Sequence, residues 1–184
     1  MWCQDTCPDV VVPCRSSLRK TNCRRWARYV MPAAEEVEMW VSQLRSQVRS
    51  EKLRLSCRDV VDAIYSRRPA WDSLVARYKV RLGTSASLWG RCFSHAVFLC
   101  AVFRALGFGA DHALVAVTCH EGEPFEKALH ATVVLYDDAG WHCVDVTKPG
   151  PEEAILPIGN LEDLLSTNPY VCMFNDQRWR IAEG

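Results

Sequence analysis

The stretch Cys92-Phe-Ser-His-Ala-Val-Phe-Leu-Cys-Ala-Val-Phe-Arg-Ala-Leu106 contains one charge, Arg104, and is apolar on nearly every side. A helix without a polar face has to be surrounded by other elements, so this stretch predicts a central, buried helix. Gly107 follows as its expected C-cap. The most apolar part, Ala96 to Phe103, is far too short to cross a bilayer. The helix therefore belongs to the middle of a globular domain, and the rest of the chain has to be arranged around it.

Upstream the pattern is helical and amphipathic. Pro32 is expected to open a helix whose Val37, Trp40, Val41, Leu44 and Val48 make one apolar stripe. Glu35, Glu36 and Glu38 complement the dipole of its first turn. Ser56 and Asp59 have the spacing of a capping box, and the helix after them turns Cys57, Val60, Val61, Ile64 and Tyr65 inward. A third helix follows Pro69, with Trp71, Leu74, Val75, Tyr78 and Leu82 on one face and Gly83 at its end. Downstream the period changes to two. Ala113–Cys119, Leu129–Tyr136 and Trp141–Val146 read as strands. Lys148 to Gly159, rich in proline and glycine, reads as a loop. A short helix is expected near Asn160, and 170–174 with 178–181 read as a closing hairpin. Helices first and an antiparallel sheet later define an α+β fold.

At 184 residues the chain suffices for one domain with a substantial core. We assign that domain to residues 32–184 and treat 1–31 as an appended, partly flexible segment. That segment holds Cys3, Cys7, Cys14 and Cys23, and it has no acid between Asp9 and Glu35. Its cysteine spacing, C-x3-C-x6-C-x8-C, is not a standard zinc pattern, so no metal is expected. Its basic run reads as a solvated arm, with an acidic partner as the one docking candidate. The formal net charge is zero, so no global field favours nucleic acid or an acidic membrane. Met1-Trp-Cys-Gln-Asp lacks the basic and apolar regions of a signal peptide. The expectation is a soluble cytoplasmic protein in which most of the ten cysteines are reduced.

Against that background Cys92 stands out by position. It follows Trp89-Gly90-Arg91 at the start of the central helix, where free N–H groups and the dipole favour a thiolate. Those N–H groups can also stabilise an oxyanion. His130 lies on a predicted strand and shares a face with Thr132, Val134 and Tyr136. On the next strand Trp141, Cys143 and Asp145 share a face. If Tyr136 pairs with Trp141, Val134 meets Cys143 and Thr132 meets Asp145. His130 and Asp145 then lie on one face as diagonal neighbours, and a two-residue turn at Asp138-Ala139 keeps that register. A thiol that attacks a carbonyl needs a base and then an acid, and a histidine held by a carboxylate supplies both. Trp89 and His95 are assigned tentatively to the substrate side. His142 points away from Asp145 and is excluded as the base. His112 and His120 sit near loops without an evident partner.

These segments resemble the transglutaminase-like superfamily. Gly90-Arg-Cys92-Phe-Ser-His with the helix through Arg104-Ala-Leu-Gly-Phe is similar to its nucleophile helix. His130-Ala with the following β run is similar to its histidine strand, and Gly140-Trp-His-Cys-Val-Asp145-Val-Thr to its aspartate strand. The resemblance covers roughly residues 33–147. It implies a papain-like fold with Cys92, His130 and Asp145 as nucleophile, base and orienting residue, and no cofactor. Thr132 stands where the family commonly has Trp, and Val146 where it commonly has Pro. A more distant similarity extends to peptide N-glycanases and arylamine N-acetyltransferases.

The expected activity is attack on an amide or ester carbonyl through a Cys92 acyl-enzyme. Water as acceptor makes a protease or amidase; an amine acceptor makes a transferase. The substrate is then a peptide, a protein or a small acyl or amide compound. The alternative is a non-catalytic binding module on the same fold.

Overall fold

The computed structural model describes residues 29–47, 55–83, 90–119, 129–160, 172–174 and 179–181. Helix α1 is Glu35–Gln47, α2 is Cys57–Ser66, α3 is Arg68–Arg81, and α4, the apolar helix, is Arg91–Ala105. The strands are β1 Ala113–Cys119, β2 Leu129–Asp137 and β3 Gly140–Val144. A short helix, α5 (Pro151–Ala154), leads into β4 Ile155–Ile158, and β5 Cys172–Phe174 and β6 Trp179–Ile181 follow.

Each helix has a local cause. In α1 the stripe of Val37, Trp40, Val41 and Leu44 is buried, while Val48 lies outside the described residues. Its regular part begins at Glu35, because Pro32 and Ala33 sit in a turn. At α2 the capping box is formed: Ser56 Oγ accepts the Asp59 N–H at 3.2 Å and Asp59 Oδ2 accepts the Ser56 N–H at 2.9 Å. Pro69 occupies the first turn of α3, where a missing N–H costs nothing. Gly107 ends α4 with φ +98°, a conformation that any side chain would strain.

The core lies between the helices and one face of the sheet. Helix α4 packs on β1 and β2 on one side and on α1 and α3 on the other. From Ala96 to Phe103 its residues are no more than 4% exposed. The facing sheet residues are Ala113, Val115 and Val117, Ala131, Val133 and Leu135, and Val144. Aromatic rings fill the helical side: Trp71 meets Phe98 at 4.8 Å and Trp40 edge-on at 5.2 Å. Tyr29 and Val30 are also buried, and the Tyr78 hydroxyl donates to the Tyr29 carbonyl while accepting the Met31 N–H. Residues 29–30 thus pack into the domain, just ahead of the boundary assigned at residue 32. Residues 1–28, with their cysteines and basic run, lie outside the described residues.

The sheet has the order β4-β3-β2-β1-β5-β6, with every neighbouring pair antiparallel. The α+β class expected from the sequence is the observed one. The hairpin register is also the expected one: Tyr136 pairs with Trp141 and Val134 with Cys143. Asp137 pairs with Gly140 around the two-residue turn, and the Asp137 carboxylate accepts the Ala139 N–H at 2.9 Å. The last two strands pair as the expected hairpin.

One assignment needs correction. Residues 148–159 are not a loop throughout, because α5 and β4 lie within them. Proline and glycine suggest a loop, but an edge strand tolerates proline on its unpaired side, and Pro157 sits in β4 at the sheet edge. The helix expected near Asn160 falls on residues 161–171, outside the described residues.

Candidate active site

The site forms where β3 separates from β2. Their ladder ends at Val133 opposite Val144. Residues 129–132 of β2 pair with β1 but not with β3, so among the described residues no strand covers that edge. The N-terminus of α4 meets this edge. Cys92 is the second residue of α4, after the N-cap Gly90. A Cβ placed on Gly90 would lie 3.8 Å from the Cys92 sulfur, an ordinary contact distance.

Asp145 stands one residue beyond β3, not inside it. Its backbone N–H donates to the Ala154 carbonyl at 2.8 Å, which ties it to α5. Its Oδ1 accepts the Thr147 N–H at 2.9 Å and the Thr147 hydroxyl at 2.6 Å. This is a local Asx turn, a preferred use of aspartate just after a strand. The other oxygen, Oδ2, lies 2.8 Å from His130 Nε2. That leaves Nδ1 of His130 for the Cys92 thiol, with which the ring also hydrogen-bonds.

The electrostatics follow from these contacts. Burial opposes charge on Cys92, but hydrogen bonds from the His130 ring and the Ala131 and Phe93 N–H groups, with the His130 charge, outweigh it. The net effect holds the thiol below its ordinary value. The Ala131 N–H is available because β3 stops short of that edge of β2. The Phe93 N–H belongs to the first turn of α4, whose donors the intrahelical ladder does not use. His130 is raised to about 9, first by its bond to Asp145 and then by its bond to Cys92, against the opposing effect of burial. Asp145 is 7% exposed, and burial alone would raise it. The hydrogen bonds from His130 and Thr147 prevail and lower it to about 2. Near neutral pH these directions favour a thiolate–imidazolium pair backed by a carboxylate.

The remaining histidines have other settings. His95 is 5% exposed. Its Nδ1 accepts the Trp71 indole N–H at 2.8 Å, and its Nε2 faces Asp72 at 3.7 Å. Burial, followed by the charge of Arg68, lowers it to about 4, so it is neutral. The substrate-side role expected for His95 gives way to a place in the helical layer behind the site. Its sequence position, one turn after Cys92, indicated nearness but not direction. His142 is on the helix-facing side and bonds Asp137 at 2.9 Å. His112 stacks near Tyr136 at 5.6 Å. Trp89 and His120 lie outside the described residues.

Cys57, Cys92, Cys100 and Cys143 take part in no disulfide. Among the described residues no group of three or more His, Cys, Asp or Glu could hold a metal ion, and no helix is long and apolar enough to cross a membrane.

Two contributors were missed in the sequence: Thr147 as the second hydrogen-bond partner of Asp145, and the edge of β2 that β3 leaves uncovered. Thr147 could have been found from the Asp-x-Thr spacing, which is that of an Asx turn. The open edge depends on where β3 ends and has no local marker. No family model, no curated protein and no solved structure matches the chain.

Proposed function

We propose that the protein is a thiol enzyme of transglutaminase-like type that attacks an amide or ester carbonyl through a Cys92 acyl-enzyme. The observation that carries this reading is the continuous hydrogen-bonded line from Cys92 through His130 to Asp145. A nucleophile at the start of a central helix, packed on an antiparallel sheet that presents the histidine, also fits the papain-like fold implied by the resemblance.

In this mechanism the Cys92 thiolate adds to the carbonyl carbon, and the developing oxyanion lies at the N-terminus of α4, where the Cys92 N–H is a donor. The His130 imidazolium then gives its proton to the leaving amine or alcohol as the C–N or C–O bond breaks. This leaves a thioester and a neutral His130. The neutral ring takes a proton from water or an acceptor amine as that nucleophile attacks the thioester. Cys92 leaves as a thiolate beside the re-formed imidazolium. Asp145 holds Nε2 throughout and stays ionised. The acyl donor is a peptide, a protein or a small acyl or amide compound.

Iodoacetamide labelling at pH 6, read peptide by peptide by mass spectrometry, tests the assignment. Cys92 is expected to react well ahead of the other nine cysteines. Slow and uniform labelling would instead favour a binding module on the same scaffold.

A further inference from the structure

The chain just after Asp145 is held from the helical side by its backbone carbonyls. Arg68 Nη1 donates to the Val146 carbonyl at 2.6 Å, and the Tyr65 hydroxyl donates to the Lys148 carbonyl at 2.7 Å. Further along, Arg58 Nη1 donates to the Pro151 carbonyl at 3.3 Å. Arg68 is itself fixed in place. Its Nε lies 3.1 Å from Asp72 Oδ1, its side chain is 21% exposed, and its guanidinium sits 5.3 Å from the centre of the Tyr65 ring.

Asp145 needs such support because it lies beyond the β2–β3 ladder. No strand hydrogen bond from β2 sets its distance to His130. Its own contacts, to Ala154 and Thr147, hold it within a turn, and that turn has to be held against the domain. Val146 is the next peptide in the chain, and its carbonyl is the group that Arg68 grips. Tyr65 grips the far end of the same turn, where the Lys148 N–H closes back on the Asp145 carbonyl at 3.3 Å.

We infer that Arg68, seconded by Tyr65, is a positioning residue of the candidate active site, holding the 145–148 turn so that Asp145 Oδ2 meets His130 Nε2. The inference rests on the thiol-enzyme reading for its catalytic meaning, but the contact it explains is a property of the fold. The hydrogen bond and ion pair of Arg68 go to Val146 and Asp72, so its effect on the site runs through the turn. Losing its grip lets the turn drift, and a displacement of about 1 Å is enough to cost most of a catalytic arrangement.

The test is the titration of the His130 ring, followed by NMR in the full chain, with His130→Gln used to assign the signal. The groups that act on the ring are Asp145 and Cys92, and Tyr65, His95 and Cys143 lie within the field of Asp145. Arg68→Met keeps much of the aliphatic bulk and removes the donors. Its His130 midpoint is expected to fall by about one pH unit or more, because the imidazolium loses its carboxylate. Arg68→Lys, which keeps one cationic donor for Val146, should recover at least part of that fall. Tyr65→Phe should give a smaller shift in the same direction, and it decides the matter if Arg68→Met does not fold. An unchanged His130 midpoint in a folded variant, even with a lower melting temperature, overturns the positioning role. If wild-type Cys92 reacts as an ordinary thiol, the enzyme reading fails separately, and the His130 titration still decides the part played by Arg68.

Discussion

The β2–β3 hairpin has a histidine–aspartate pair at each end, and each pair lies near a cysteine at the start of a helix. At the open end are His130 and Asp145, 2.8 Å apart, with Cys92 in the first turn of α4. At the turn end are His142 and Asp137, 2.9 Å apart, with Cys57 as the first residue of α2. The ingredients are the same, but the two thiols move in opposite directions. Cys57 is pushed up to about 12, first by burial and then by the negative charge of Asp137, with Arg58 opposing weakly. Cys92 is lowered despite its burial, because the His130 ring hydrogen-bonds to it and, with the Ala131 N–H and the His130 charge, outweighs that burial.

Magnitudes explain why the helix start does not rescue Cys57. Moving a thiol from its ordinary range to about 12 corresponds to roughly 4 kcal/mol, whereas a helix dipole supplies about 0.3–1 kcal/mol. Position at a helix N-terminus is therefore not sufficient for a reactive cysteine. Partial exposure and a cationic neighbour make the difference. Cys57 is 3% exposed, while Cys92 is only half-buried.

The largest test of this contrast removes each sulfur in turn. Cys92→Ala should lower hydrolysis of an activated ester by roughly 10^4- to 10^6-fold. Cys57→Ala should leave turnover intact and cost about 1 kcal/mol of stability, seen as a shift in the urea midpoint. Comparable loss of activity in both variants would erase the distinction between the two ends.

Next come the two carboxylates. Asp145→Asn should reduce turnover by about 10^3- to 10^4-fold, because an amide no longer fixes the His130 tautomer. Asp137→Asn should affect folding only, measured by chemical denaturation beside the ester assay.

A third test uses pH, and the sign differs by residue. The folded-state value of His130 is raised, so its contribution is full below about 6.5 and fades as pH rises through about 9. That of Asp145 is depressed, so its contribution is full above about 4 and is lost as pH falls toward about 2. The stability gap between wild type and His130→Ala should therefore be widest between about pH 4 and 6.5 and narrow on both sides. A gap that is flat with pH would argue against the ion pair.

The smallest effect concerns His95. Its folded value is lowered to about 4, so the neutral ring is favoured and stability falls as pH drops from about 6.5 to 4, by at most about 3 kcal/mol. His95→Phe should remove that acid sensitivity without changing the pH dependence of Cys92 labelling.

The fold was legible wherever a local pattern leaves one solution. A stretch with no polar side, Cys92 to Leu106, has to be buried. Alternation over Leu129–Tyr136 and Trp141–Val146, with an even turn between them, has to put His130 and Asp145 on one face. The Ser56–Asp59 capping box likewise depends only on residues three apart. Residues 148–159 were not legible, because β4 exists only through pairing with β3. The partners of His95 and His142 were not legible either, since Trp71 lies 24 residues from His95 in the chain and the Asp137–His142 bond depends on the turn that joins their strands.

By itself the sequence determined which side chains share a face and which helix lies at the centre, because periodicity and parity are local. The tertiary structure alone decided that the start of α4 meets the open edge of β2, where the Ala131 N–H and His130 reach the Cys92 sulfur. It alone decided, too, that Arg68 and Tyr65 reach the turn after Asp145 from another pair of helices. These contacts join segments far apart in the chain, and their distances are set by how helices and sheet pack rather than by any pattern along one of them.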